Sequence, residues 1–124
     1  MCSSDLAALD GVPGRLGAGM PASYEIVHVK DVARGVALAA TVPSLPHHVY
    51  NIGQGELVEP HDVLAAAARA FPGFTGEAAP PRPDLFPRRH PLSLERSRVE
   101  LGYSPVFTLA AGLLDLADEL RAEG

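Results

Sequence analysis

The chain has 124 residues, enough for one ordinary domain and too few for two. Its formal net charge is −5 and its ten basic residues are scattered, so neither the balance nor any Lys/Arg run suits nucleic acid. The longest apolar stretch, "VLAAAARAF", is interrupted by Arg69 and is too short to span a bilayer, so no membrane partner is expected.

No charged segment precedes an apolar core at the start, so no secretory signal is expected and the cytoplasm is the expected location. The single cysteine, Cys2, excludes an internal disulfide. The opening "MCSSDL" reads like the translated end of a sequencing adapter, so residues 1–6 are expected to be a gene-model artefact and the chain a fragment. Residues 1–21 form an irregular Gly/Ala/Pro-rich segment, and 1–23 carry no sustained period, which predicts loop.

"YEIVHV" (24–29) alternates and predicts a short strand, with Tyr24, Ile26 and His28 on one side. Asp31 then predicts an N-cap for a helix over "VARGVALAATV", with Val32, Val36, Ala39 and Ala40 as its buried stripe. "HHVYNI" (47–52) is rich in β-formers and predicts a second strand, closed by Gly53. Pro60 suits the first turn of a second helix, and Asp62 complements its positive pole. Val63, Leu64, Ala67 and Phe71 are its expected core, and Pro72-Gly73 its stop.

The prolines of residues 72–92 predict a long stretch without regular structure, functional or disordered. "SLERSRVELG" predicts a third helix, capped by Ser93 and stopped by Gly102. After the extended "YSPVF", Thr108 caps a last helix that buries Leu109, Leu113, Leu116, Ala117 and Leu120. The order is β-α-β-α, a long loop, then α-α. Two such strands make no stable sheet alone, so the chain by itself is expected to be poorly folded or aggregation-prone.

Candidate chemistry is sparse. His28 and Asp31, three residues apart, read either as a reaction pair or as a strand-to-helix junction. His47, His48, His61 and His90 lack metal-ligand spacing, so no metal is expected. "GVPGRLGAG" has the glycines of a phosphate loop but no strand before it. No Tyr-x-x-x-Lys pair occurs. In "PPRPDLFPRRHP", Arg82, Arg88 and Arg89 among prolines suit a bidentate grip on phosphate or carboxylate, or form a solvated basic loop.

Three segments in order, "VHVKDVARGVALAA", "VYNIGQGE" and "PLSLERSRVELGYSPVFTLAAGL", resemble the C-terminal third of the extended short-chain dehydrogenase/reductase family, the NAD-dependent epimerase/dehydratase group. The resemblance covers residues 22–124. It implies an α/β fold: the C-terminal, substrate-binding portion of a Rossmann-type parent, with an incomplete sheet. It further implies NAD or NADP held by a missing N-terminal Rossmann domain, a small-molecule substrate such as a sugar, and a homodimer of the parent.

The resemblance assigns no catalytic or cofactor-binding residue to this chain. It implies substrate contacts at Arg82, Tyr24 and His28. Arg82 stands in "RPD", like a family Arg-Pro-Gly-Asp loop without the glycine. Tyr24 replaces the arginine with which nucleotide-sugar members grip phosphates, which argues against that substrate class. The resemblance also admits a non-catalytic dinucleotide-sensing or interaction protein of the same fold.

Overall fold

A computed structural model describes residues 14–16 and 20–124; the expected artefact at 1–6 lies outside the described residues. The elements are β1 (Gly14–Leu16), α1 (Val29–Thr41), α2 (Pro60–Ala70), β2 (Gly76–Ala78), α3 (Glu95–Leu101) and α4 (Leu109–Glu123). β1 pairs in parallel with β2, Gly14 opposite Gly76 and Leu16 opposite Ala78. The chain is thus an α-rich α/β piece with an incomplete sheet.

Local chemistry explains most of the helix ends. Pro60 occupies the first turn of α2, where no N–H is needed, and Asp62 accepts the Glu59 N–H at 2.9 Å. Thr108 caps α4 by accepting the Ala111 N–H at 3.1 Å. Gly102 ends α3 at φ 71°, a left-handed conformation that other residues adopt at a cost.

The core lies where α2 meets α4. Ala70, Phe71, Ala117 and Leu120 are buried there, with Phe74, Leu113 and Leu116 packed against them. The apolar spacing of both helices puts these residues on one stripe each.

Other expectations are corrected. Residues 24–29 and 47–52 form no ladder; the segment 20–29 contributes one antiparallel bridge, Tyr24 with Val58. A β-rich run becomes a strand only with a neighbour bonded along its length; the first run has a partner only at Tyr24, and the second has no ladder partner among the described residues. The pairing falls instead on β1 and β2, inside stretches expected to be irregular. Pro72 and Pro80 flank β2 without interrupting it, so the prolines bound the strand rather than forbid it.

α1 begins at Val29, three residues earlier than expected, with His28 at the N-cap. Asp31 is therefore inside the first turn, and its carboxylate is used elsewhere. The buried face of α1 carries Asp31 and Gly35, while Val36 is 62% exposed and Ala40 is also exposed. Ser93 does not cap α3: Leu94 holds that position, and Ser93 Oγ only reaches the Glu95 N–H at 3.5 Å.

Candidate functional site

The segment before α1, the turn after Gly53 and the start of α4 enclose a hollow of about 280 Å³. Its walls include Ile26, Val58, Phe107, Leu113 and Leu116. Four polar side chains also line it, His28, Gln54, Glu56 and Thr108.

His28 is fixed from three directions. Its Nε2–H donates to Asp115 Oδ2 at 2.9 Å, and its ring meets Phe107 edge-on with centroids 4.3 Å apart. Gly112 lets α4 approach, since a Cβ there would lie 3.3 Å from the imidazole Cδ2.

Asp115 also accepts from Lys30 Nζ at 2.7 Å, and Lys30 reaches Glu119 at 2.9 Å. The Lys30 ammonium is the main reason the Asp115 carboxyl lies below its ordinary range, with His28 adding to it against a desolvation cost. The two carboxylates in turn raise Lys30. Gln54 is the opposite case. Its Oε1 is buried and has no partner among the described residues. An apolar hollow with a few polar side chains in its wall suits a small apolar-bodied molecule bearing a hydroxyl or another polar group.

The larger open hollow, about 620 Å³, lies between Val49, Asn51 and α3 and holds none of the three sequence-derived site residues. Size favours it, and Asn51, Ser93, Glu95, Arg96 and Glu100 make its lining largely polar; the smaller hollow is the one that holds a sequence-derived site residue, His28, within an apolar wall, so we place the candidate site there.

The sequence-derived residues are not brought together. His28 lines the pocket, but Asp31 is not its partner; Asp115, 87 positions away, is. Tyr24 bonds both ways with the Val58 backbone, and burial, then the nearby Asp62, pushes its phenol pKa up. Arg82 is exposed and forks onto Asp84, which lowers the Asp84 pKa. The Pro-rich loop does run beside the Tyr24 segment, through Arg82 N–H to Met20 O and Arg88 N–H to Ser23 O.

Asp115, Phe107 and Gln54 went unread in the sequence. The available signal was Asp115 and Glu119, four apart on one helix face beside Gly112.

Asp31, 1% exposed, accepts the N–H groups of Val106 at 2.9 Å and Phe107 at 3.0 Å. Arg34 adds a bond to Asp31 at 3.2 Å and another to Ser104 O. That clamp holds Phe107 against His28. The residues described form no strand, Gly-rich turn and helix in succession that would cradle a dinucleotide: β1 leads to no adjoining helix. No cluster among the described residues could hold a metal, and none of the described helices is long and apolar enough to cross a membrane.

The architecture matches solved structures over nearly its whole length. One is the Bordetella bronchiseptica enzyme WbmF in complex with NADH, at 28% identity and TM-score 0.73, covering 96% of this chain and 35% of that one. A second is UDP-glucuronic acid 4-epimerase from Bacillus cereus in complex with UDP-glucuronic acid and NAD, at 20% identity and TM-score 0.73, covering 97% of this chain and 38% of that one. A third is a GalE-like L-threonine dehydrogenase from Cupriavidus necator, at 20% identity and TM-score 0.76, covering 94% and 39%. The chain therefore spans little more than a third of the length of these relatives.

No family model matches the sequence. No curated protein matches it either. The structural likeness defines the class: the chain has the fold of part of an extended short-chain dehydrogenase/reductase, among NAD-dependent epimerases and dehydrogenases. The share covered agrees with the C-terminal segment indicated by the order of its motifs.

Proposed function

We propose that residues 22–124 are the substrate-binding C-terminal portion of an NAD(P)-dependent epimerase, dehydratase or reductase. The observation that carries this is a likeness over 96% of the chain to 35% of an enzyme solved with NAD+ and UDP. On this reading the dinucleotide and the proton-transfer groups belong to an N-terminal Rossmann portion, and the present chain is inactive alone.

The substrate is a sugar or another small hydroxy or carbonyl compound. His28 and Gln54 offer it polar contacts within an apolar wall. Tyr24, where a phosphate-gripping arginine would stand, turns the preference away from nucleoside diphosphate sugars. Arg82 serves as the anion contact by exchanging Asp84 for a substrate carboxylate or phosphate.

The test is to express the longer reading frame from the locus and titrate it with NAD+ and NADP+. A frame carrying Gly-x-x-Gly-x-x-Gly and Tyr-x-x-x-Lys, with dinucleotide binding and turnover of a hydroxy or carbonyl compound, supports the proposal. Binding without Tyr-x-x-x-Lys and without turnover replaces it with a dinucleotide sensor. No dinucleotide binding defeats it.

A further inference from the structure

The wider hollow, about 620 Å³, shares no lining residue with the one that holds His28. One of its walls is α3, where Glu95 and Val99 stand four apart, as do Arg96 and Glu100. Residues four apart on a helix are neighbours, so Arg96 and Glu100 have the spacing of an intrahelical ion pair. That pair does not form. Glu100 turns to the connection between α1 and α2 instead, bonding His47 Nδ1 at 2.8 Å and accepting from the Tyr50 hydroxyl at 3.0 Å. His47 holds the Glu100 carboxyl below its ordinary range despite desolvation, and Tyr50 adds to this.

Glu95 is also engaged, pairing with Arg98 at 2.9 Å. Arg96 reaches across to the facing backbone and donates from Nη1 to Val49 O at 3.1 Å. Among the described residues, no carboxylate lies within ion-pair distance of Arg96. A guanidinium anchored by one bond and held off its neighbouring carboxylate keeps donors of its planar fork for an outside anion. Beside it stand two apolar side chains, one on each wall: Val49 is 68% exposed and Val99 65%. The carboxylates of Glu95 and Glu100 repel a dianion about twice as strongly as a monoanion, which favours a carboxylate over a phosphate.

We infer that this hollow binds a small aliphatic carboxylate, its anion forked onto Arg96 and its hydrocarbon body between Val49 and Val99. The volume is that of an ordinary small-molecule site. Because the two hollows are separate, this ligand does not compete with a molecule held beside His28. The site is also independent of any turnover by the longer protein.

Methyl NMR titration of the longest soluble form with isovalerate tests this. The methyl signals of Val49 and Val99 should shift saturably, with a Kd in the millimolar range for so small a ligand. Acetate, which lacks the body, and isoamyl alcohol, which lacks the charge, should each bind weaker by about 10-fold or more. Arg96→Gln should lower the affinity for isovalerate about 10-fold, and Glu95→Gln should raise it about 2-fold. No saturable shift at Val49 and Val99 overturns the inference, as does an equal response to the alcohol. Tighter binding of inorganic phosphate than of isovalerate overturns it too, since the wall carboxylates then exert no selection. Shifts at Leu113 and Leu116 with Val49 and Val99 unmoved put the carboxylate in the other hollow and also overturn it. The comparison of ligands needs no variant, so it decides the matter even where Arg96→Gln unfolds. NAD+ titration of the same sample separates the two proposals: saturable shifts without dinucleotide binding keep this site and remove the oxidoreductase reading.

Discussion

The carboxylate of Asp31 accepts the backbone N–H of Phe107 at 3.0 Å, across 76 positions of sequence. This bond, with its twin to Val106, ties the first turn of α1 to the extended stretch that leads into α4. A residue type suited to capping its own helix here serves a different segment, and the position of Phe107 against His28 depends on it.

Replacing Asp31 with Ala is expected to destabilise the fold by roughly 2–5 kcal/mol, since two N–H groups and one guanidinium contact lose their acceptor together. Asp31→Asn, which keeps one acceptor oxygen, should lose less. Urea unfolding midpoints of the longest soluble form check this. A loss no larger than that of an exposed cap would show that water replaces the carboxylate.

Asp115 predicts a pH dependence. Lys30, then His28, holds its folded-state pKa below the ordinary value of 3.8. Its contribution is fully present above that ordinary value and is lost as pH falls through the lower, folded value. Asp115→Asn should therefore flatten the fall in stability below about pH 4. Unfolding midpoints measured from pH 6 to pH 2 would show an unchanged acid slope if the ion pair contributes nothing.

Gly35 and Ile52 make a second test. A Cβ at position 35 would meet Ile52 Cδ1 at 2.8 Å and both Cγ atoms at 3.1 Å, so the whole branched end must move. Gly35→Ala should cost roughly 1–3 kcal/mol through overpacking. Ile52→Val removes Cδ1 and should recover part of that loss, a non-additivity that a double-mutant cycle reads directly. Full additivity would place the strain elsewhere.

Gln54 distinguishes packing from binding. Its buried, unpartnered Oε1 makes Gln54→Leu neutral or stabilising by up to about 1 kcal/mol. In the longer protein the same change should raise KM for a hydroxylated substrate with little change in kcat, as lost uniform binding does. Thermal unfolding and steady-state kinetics on one variant read both effects. Unaltered KM would remove Gln54 from the substrate pocket.

What the sequence revealed depended on how local the cause was. α2 and α4 were legible because apolar period, Pro60 and Thr108 all act within a few residues. Gly102 was legible because few other residues end a helix at positive φ. The two β-rich runs were misread because strand formation needs a neighbour, and sequence propensity cannot supply one. β1 and β2 were missed for the converse reason: three-residue segments with glycine carry little β signal, and only their pairing defines them. At the candidate site, His28 drew notice by type, but its partner Asp115 lies 87 positions on, beyond any spacing rule. Arg82 drew notice too, and its fork onto Asp84 leaves its role in binding to be decided by substrate.

The Asp31 clamp also governs the order in which this polypeptide can settle during synthesis. Asp31 waits for Val106 and Phe107, His28 for Asp115, Asn51 for Ser97, and Gly53 for Tyr103. The earlier half thus emerges from the ribosome with these polar groups unmet, and closing such long loops is slow. A chain stalled or truncated near residue 95 would leave all of these groups unmet, so premature termination just short of α3 should yield a proteolysis target rather than a smaller stable unit.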